Sequence, residues 1–264
     1  MSDREGILAE IKKKKVVYSI PGMDDVRVVS TAYDTGHEDL AMDIYYPPGT
    51  SGTPPVVVVP FGYPDPSGRI RQYGPMTSWA RLIAASGMAT VIYGTNECAE
   101  NVHAVVKHLR ANADALRLDG ERLGLWATSA SVSVALSALM RDPSFKCAAL
   151  LYGYTMDLDG SPAVAAMARE YQFTDACAGK SVDDLPDNVP MLFIRAGREQ
   201  FPGLNEALDR VVAKAVARNL PVTFVNHATG THGFDLDDDS ETSRRMIRQV
   251  LSFLQSHLGL ETGD

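Results

Sequence analysis

Cysteine is scarce in this chain, and no part of it stays apolar for long. The three cysteines, Cys98, Cys147 and Cys177, are odd in number and lack the spacing of a metal site or a disulfide framework. Cys147 opens the apolar run 147–152, where a thiol behaves as a small hydrophobe. A reducing cytoplasm without disulfides is the expected setting. No segment approaches the ~18 uninterrupted apolar residues of a membrane span, so a membrane is not an expected partner. The first six residues (MSDREG) have no apolar core of the signal-peptide kind, which argues against export by that route. Basic clusters are scarce too. Lysines fill positions 12–15, but no second cluster follows and the net charge is -8, which excludes nucleic acid as an expected partner. Those lysines read as a solvated turn of an N-terminal helix.

What is present is ordinary for one α/β domain: 264 residues, 45% hydrophobic and 22% charged. Neither repeats nor a linker divide 1–264. Residues 26–33 and 40–46 are strand-like and joined by turn-forming residues 34–37, which puts His37 in a hairpin. Residues 47–55 (PPGTSGTPP) break regular structure. Residues 56–60 (VVVVP) are the solid apolar run that a strand buried on both faces requires. Helix and strand then alternate: helices at 78–85, 100–115, 131–140, 204–218 and 240–257, strands at 89–93, 123–127, 148–152, 191–195 and 222–226. In the last helix Met246, Val250, Phe253 and Leu254 share one side, which suits docking on a sheet. The alternation predicts a doubly wound, mostly parallel sheet with helices on both faces. Residues 155–189, with a helix near 163–171, interrupt it. An excursion this long reads as a lid, a binding wall or a surface decoration.

The stretch 122–140 (RLGLWATSASVSVALSALM) reads as a buried strand, a sharp turn carrying Ser129, and a small-residue helix. A serine oxygen is a poor nucleophile unless an adjacent base takes its proton and a third group orients that base. Both are on offer beyond later strands, as Glu199 in 196–199 (AGRE) and His232 in 227–235 (HATGTHGFD). The carboxyl ends of parallel strands lie along one edge, so loops after separate strands converge there whatever their distance in sequence. Ser129 is therefore the candidate nucleophile, His232 the base and Glu199 the orienting acid. Each has a rival. Ser131 would need the strand to run through Thr128. His227 is the strand's last residue and can face either side, and Asp209 falls within the next helix. His103 and His108 lie on a surface helix and His257 near the C-terminus. The acidic run 235–239 reads as a solvated helix start, because consecutive side chains diverge instead of converging on a metal.

Taken together these residues resemble an α/β-hydrolase of the dienelactone-hydrolase or small serine-esterase kind. The likeness runs from about residue 26 to the C-terminus. It rests on 40–49 (LAMDIYYPPG), 58–63 (VVPFGY), 118–126 (LDGERLGLW), the Ser129 turn, 195–199 (RAGRE) and 230–235 (GTHGFD). The resemblance implies the α/β-hydrolase fold and hydrolysis of a small carboxylic ester, or a related acyl substrate, through an acyl-enzyme. It implies neither a metal nor an organic cofactor. Dienelactone hydrolases use a cysteine nucleophile, so serine at 129 favours esterase-type chemistry. The family's turn carries glycine two residues before and two after the nucleophile. Here Ala127 and Ser131 add Cβ atoms, a strain of ~1–3 kcal/mol wherever φ must be positive. An acyl-transfer oxyanion needs main-chain donors. Ala130 N–H is one, and the loop after 56–60 is expected to give the other. That loop often begins His-Gly in the family but reads Phe61-Gly62-Tyr63 here, so Tyr63 N–H is chosen, with Gly62 allowing close approach. Tyr63, Gly62, Tyr73, Met76 and part of 155–189 are pocket-wall candidates on placement alone. The altered turn and missing loop histidine also suit a non-catalytic relative that keeps its pocket for a small molecule. A homodimer stays open.

Overall fold

The computed structural model describes residue 10, residues 12–36 and residues 39–260, with Asp39 described by its backbone alone. Eight strands form a single sheet: β1 (Arg27–Asp34), β2 (Asp39–Tyr46), β3 (Pro55–Val59), β4 (Ala89–Tyr93), β5 (Asp119–Thr128), β6 (Cys147–Leu151), β7 (Met191–Ala196) and β8 (Val222–His227). Their spatial order is β1-β2-β4-β3-β5-β6-β7-β8. The β1–β2 and β2–β4 pairs are antiparallel, and every pair from β4 through β8 is parallel. Between β3 and β5 the winding reverses direction. The loops leaving these two neighbours part company there, and a crevice opens at the carboxyl ends of the strands.

The helices are α1 (Gly74–Ala85), α2 (Cys98–Ala111), α3 (Ala113–Leu116), α4 (Ser131–Arg141), α5 (Ala163–Tyr171), α6 (Leu204–Ala217), α7 (Phe234–Asp237) and α8 (Glu241–His257). The valine run of β3 explains the layering. Val56 and Val58 enter the apolar layer shared with α2, α4 and α6, while Val57 and Val59 enter the layer shared with α1 and α8. A strand covered on both faces must be apolar at consecutive positions, and each valine so buried contributes roughly 1.5–3 kcal/mol. In α8, Met246, Ile247, Val250, Leu251 and Leu254 make the buried stripe. Its start is capped by Ser240, whose hydroxyl accepts the Ser243 N–H at 3.2 Å. In α4 every residue from Ser131 to Leu139 is buried, so its alanines and serines let the helix lie close to the sheet.

Several expectations shift by small amounts. The expected helix over 100–115 is two helices, because Asn112 (φ -118°) leaves helical geometry between them. Lys12 and Lys13 form a turn but no helix continues through Lys15. The Lys12 carbonyl accepts the Gly74 N–H at 2.7 Å, which ties this segment to the start of α1. The hairpin turn at His37 lies outside the described residues. In the insertion, α5 begins where the Val164 and Ala165 N–H groups donate to the Asp157 carboxylate at 2.8 and 2.9 Å. Its buried Val164 and Ala168 then pack with Ala130, Tyr154, Phe173, Leu204 and Ala207. Among the described residues no helix is long and apolar enough to cross a membrane.

Candidate active site

Ser129 stands between β5 and α4 with φ 52°, a left-handed conformation that costs a side-chain-bearing residue about 1–2 kcal/mol. Its backbone is held on both sides. The N–H donates to the Leu151 carbonyl at 3.1 Å, and the C=O accepts from Val132 and Tyr154, each at 3.2 Å. Strain expected at the flanking residues falls elsewhere: neither Ala127 nor Ser131 has positive φ, and the strained residue is Ser129 itself. β5 does run through Thr128, one residue beyond expectation. Strand length therefore does not separate Ser129 from Ser131. The left-handed backbone at 129 does, because it turns that hydroxyl out of the sheet edge while Ser131 begins the helix.

On the facing side, Ser129 Oγ lies 2.9 Å from His232 Nε2. His232 Nδ1 lies 2.7 Å from Glu199 Oε2. The other Glu199 oxygen accepts the N–H groups of Gln200 and Phe201 at 2.8 and 3.0 Å. The Glu199 side chain is 1% exposed and that of His232 17%. A carboxylate against Nδ1 keeps a proton on that nitrogen, which leaves the Nε2 lone pair to accept from the serine hydroxyl. The two contributing loops are stitched together: Gly197 N–H donates to His227 C=O at 2.9 Å and Arg198 N–H to Gly230 C=O at 2.8 Å. His232 N–H reaches Gln200 Oε1 at 3.2 Å. The rings of Tyr152 and Phe201 meet the imidazole edge-on, with centroids at 4.8 and 4.6 Å.

The rival residues are engaged elsewhere. His227 is fully buried, its Nε2 2.8 Å from Ser243 Oγ, and burial holds it below the usual histidine range. A Cβ at Gly230 would sit 2.6 Å from the His227 ring, so glycine lets the loop fold back over that ring. Asp209 is paired with Arg195 through both oxygens, at 2.9 and 3.2 Å. Ser131 Oγ accepts the Gly62 N–H at 3.1 Å.

The acidic run is corrected at its first residue. Asp235 is 1% exposed. It accepts Trp79 Nε1–H at 2.6 Å and the Tyr152 hydroxyl at 2.5 Å, and its carbonyl accepts Val17 N–H at 2.8 Å. Burial, relieved in part by these two donors, raises its carboxyl above the usual range. The reason is packing: in α7, Phe234 and Asp235 turn toward the sheet while the next acids face outward. Asp237 pairs with Lys14 at 2.6 Å and Asp239 with Arg244 at 2.7 Å. Local sequence carried no signal for Asp235, Tyr152 or Phe201, since their roles arise from residues far away in the chain.

The loop after β3 docks on the serine turn. A Cβ at Gly62 would come within 2.6 Å of the Ala130 carbonyl group, so only glycine fits. Gly62 C=O accepts Thr174 N–H at 2.8 Å. Ala130 is the N-cap of α4, where the first amides have no acceptor within the helix. Tyr63 packs against the cluster containing Ala130, its ring 5.6 Å from Phe61 and 6.3 Å from Phe173. Tyr73 instead lies under the Lys12 ammonium at 4.8 Å, and Met76 packs against the layer beneath α1 and α8.

No family model and no curated relative matches the sequence. Solved structures match it in three dimensions. A thermostable esterase from Pseudomonas putida aligns with a TM-score of 0.73 at 18% identity, over 98% of this chain and 91% of that one. This chain has the α/β-hydrolase fold. A bacterial heroin esterase aligns at 0.72 and 12% identity, over 97% of this chain and 90% of that one. Brefeldin A esterase, described as a bacterial homologue of human hormone sensitive lipase, gives 0.74 and 13%, over 97% and 84%. None of these three is a dienelactone hydrolase, and at such identities the likeness is one of fold. The turn at Ser129 follows β5, a strand near the middle of the sheet.

Proposed function

We propose that the chain is a serine hydrolase of small carboxylic esters, working through an acyl-enzyme with Ser129, His232 and Glu199. One observation carries the reading: an unbroken hydrogen-bond chain from Ser129 Oγ through the imidazole to a buried carboxylate, at 2.9 and 2.7 Å. Esterases that share the fold support the substrate class. Ser129 Oγ attacks the ester carbonyl as its proton passes to His232 Nε2, and Glu199 steadies the imidazolium. The oxyanion is held by the N–H groups of Ala130 and Tyr63. Collapse expels the alcohol, which takes the proton from Nε2. Water then attacks the acyl group and gives a proton to the same nitrogen; breaking the acyl–Oγ bond releases the acid, and Ser129 Oγ takes that proton back from Nε2.

Tyr63 and Gly62, together with α5 in the insertion, are proposed as the pocket wall. In this reading the insertion is a fixed wall rather than a lid, because Asp157 caps α5 and the helix is packed on α6. The three cysteines are buried and unpaired, which suits the reducing cytoplasm proposed for the protein. Wild-type protein should hydrolyse a short-chain nitrophenyl ester and be labelled by a fluorophosphonate, and Ser129→Ala should lose both. A protein that binds a small molecule saturably yet acylates no serine would instead be the non-catalytic relative.

A further inference from the structure

A histidine that protonates a departing alcohol must have the alcohol oxygen at its Nε2. The side chains around the His232 imidazole therefore border the alcohol portion of a bound ester, and they are aromatic. Tyr152 is buried. Phe201 has its ring centroid 4.6 Å from the imidazole, at 73° to it. Tyr171 in turn meets Phe201 at 5.5 Å and 90°. Phe201 and Tyr171 are only partly buried, and both pack against the cluster that contains Ala130, the residue after Ser129. Two partly open rings thus lead from the base toward the neighbour of the nucleophile. Both are fixed to the framework. Phe201 N–H donates to Glu199 Oε1 at 3.0 Å, so the carboxylate that meets the imidazole also anchors this residue. Tyr171 ends α5, whose first turn is tied to Asp157 at 2.8 and 2.9 Å. Val164 and Ala168 of the same helix pack with Leu204 and Ala207 of α6.

We infer that Phe201 and Tyr171 form a recognition corner for an aromatic alcohol portion, so that the preferred substrates are esters of benzyl-type alcohols. The inference rests on the hydrolase reading above. Rings at a right angle suit a third ring: lying parallel to one, it is edge-on to the other, and both arrangements are favoured aromatic geometries. A saturated ring of the same outline is thicker and has no π-face to offer. Because both rings are held in place before substrate arrives, little ordering is lost on contact.

The experiment compares benzyl acetate with cyclohexylmethyl acetate, which share a carbon skeleton and differ in the ring. Each kcat/KM is divided by that ester's rate constant in hydroxide, which removes differences in leaving-group reactivity. Wild-type protein should favour the benzyl ester by about tenfold. Tyr171→Leu and Phe201→Leu should each cut that preference by at least about threefold, while Tyr171→Phe, which keeps the ring, retains it. The ratio is read within one protein sample, so a loss of folded protein or a disturbed triad lowers both rates and cancels. No preference in the wild type, or the same preference in both leucine variants, would overturn the inference. Loss of preference in Tyr171→Phe would also overturn it, by placing recognition in the hydroxyl. A second pair, the methyl esters of phenylacetate and cyclohexylacetate, carries the ring on the acyl side and should discriminate less. A larger ratio there than in the benzyl pair would move the ring to the acyl side and be equally fatal. A wild-type protein that hydrolyses none of the four esters and acylates no serine would instead bring down the hydrolase reading itself.

Discussion

Two buried carboxyl groups flank the same imidazole and are held in opposite ways. Glu199 meets His232 directly and accepts two backbone N–H groups besides. Asp235 reaches the imidazole only through Tyr152, whose ring lies edge-on to His232. Its donors are a phenol and an indole, and burial raises its carboxyl. The contrast teaches that burial alone does not make a carboxylate part of the chemistry. In the proposed mechanism, the partners around it decide whether it orients the histidine or braces the segment that carries the histidine. Trp79 extends the brace, since its ring packs at a tilt against Trp126 of β5, centroids 4.6 Å apart. The strand leading to Ser129 and the segment bearing His232 are thereby joined through the core as well as through the Ser129–His232 hydrogen bond.

The comparison breaks most visibly at Glu199. Glu199→Gln keeps the shape but allows the wrong imidazole tautomer, and kcat should fall by about 10³–10⁴ with KM little changed. A loss below tenfold in ester turnover would mean that another group orients the histidine. Asp235→Ala acts on stability first. It leaves the Trp79 N–H and the Tyr152 O–H buried without an acceptor, at about 1–3 kcal/mol each, so urea unfolding should show a loss of about 2–5 kcal/mol. Unchanged stability there would remove the brace from the account.

A subtler test uses pH. A carboxyl with a native pKa above its unfolded value keeps its proton longer when folded, so its stabilising share is complete below about pH 3.9 and is lost as pH rises through the native value. Wild-type stability relative to Asp235→Asn should therefore fall as the pH is raised from 4, measured by urea melts at each pH. A difference independent of pH would show that Asp235 titrates normally. The smallest effect is expected at Asp209, half-exposed and paired with Arg195. Asp209→Asn should cost under about 1 kcal/mol and leave ester turnover within about twofold, which would separate this acid from Glu199.

Much of the architecture was legible because its signals are local. The valines of β3, the stripe of α8 and the small residues of α4 state period and burial within a few positions. Ser129, His232 and Glu199 could be singled out together because loops after parallel strands share one edge. Less was legible where a side chain's direction mattered. His227 ends β8 and His232 lies five residues on in the loop that follows, and only the fold turns the first onto Ser243 and the second onto Ser129. Asp235 read as solvated because its neighbours are acidic, and the inward face of a one-turn helix cannot be told from composition.

By itself the sequence determined the alternation of strands and helices, the buried centre of the sheet and the residue types capable of acyl transfer. Periodicity and side-chain chemistry are properties of neighbouring positions. Only the tertiary structure decided which serine, which histidine and which acid meet, that Ser131 holds the Gly62 amide, and that Asp235 lies inside. Those outcomes depend on distances closed across 33 to 156 residues of chain, where backbone angles at a few turns determine what each side chain finally faces.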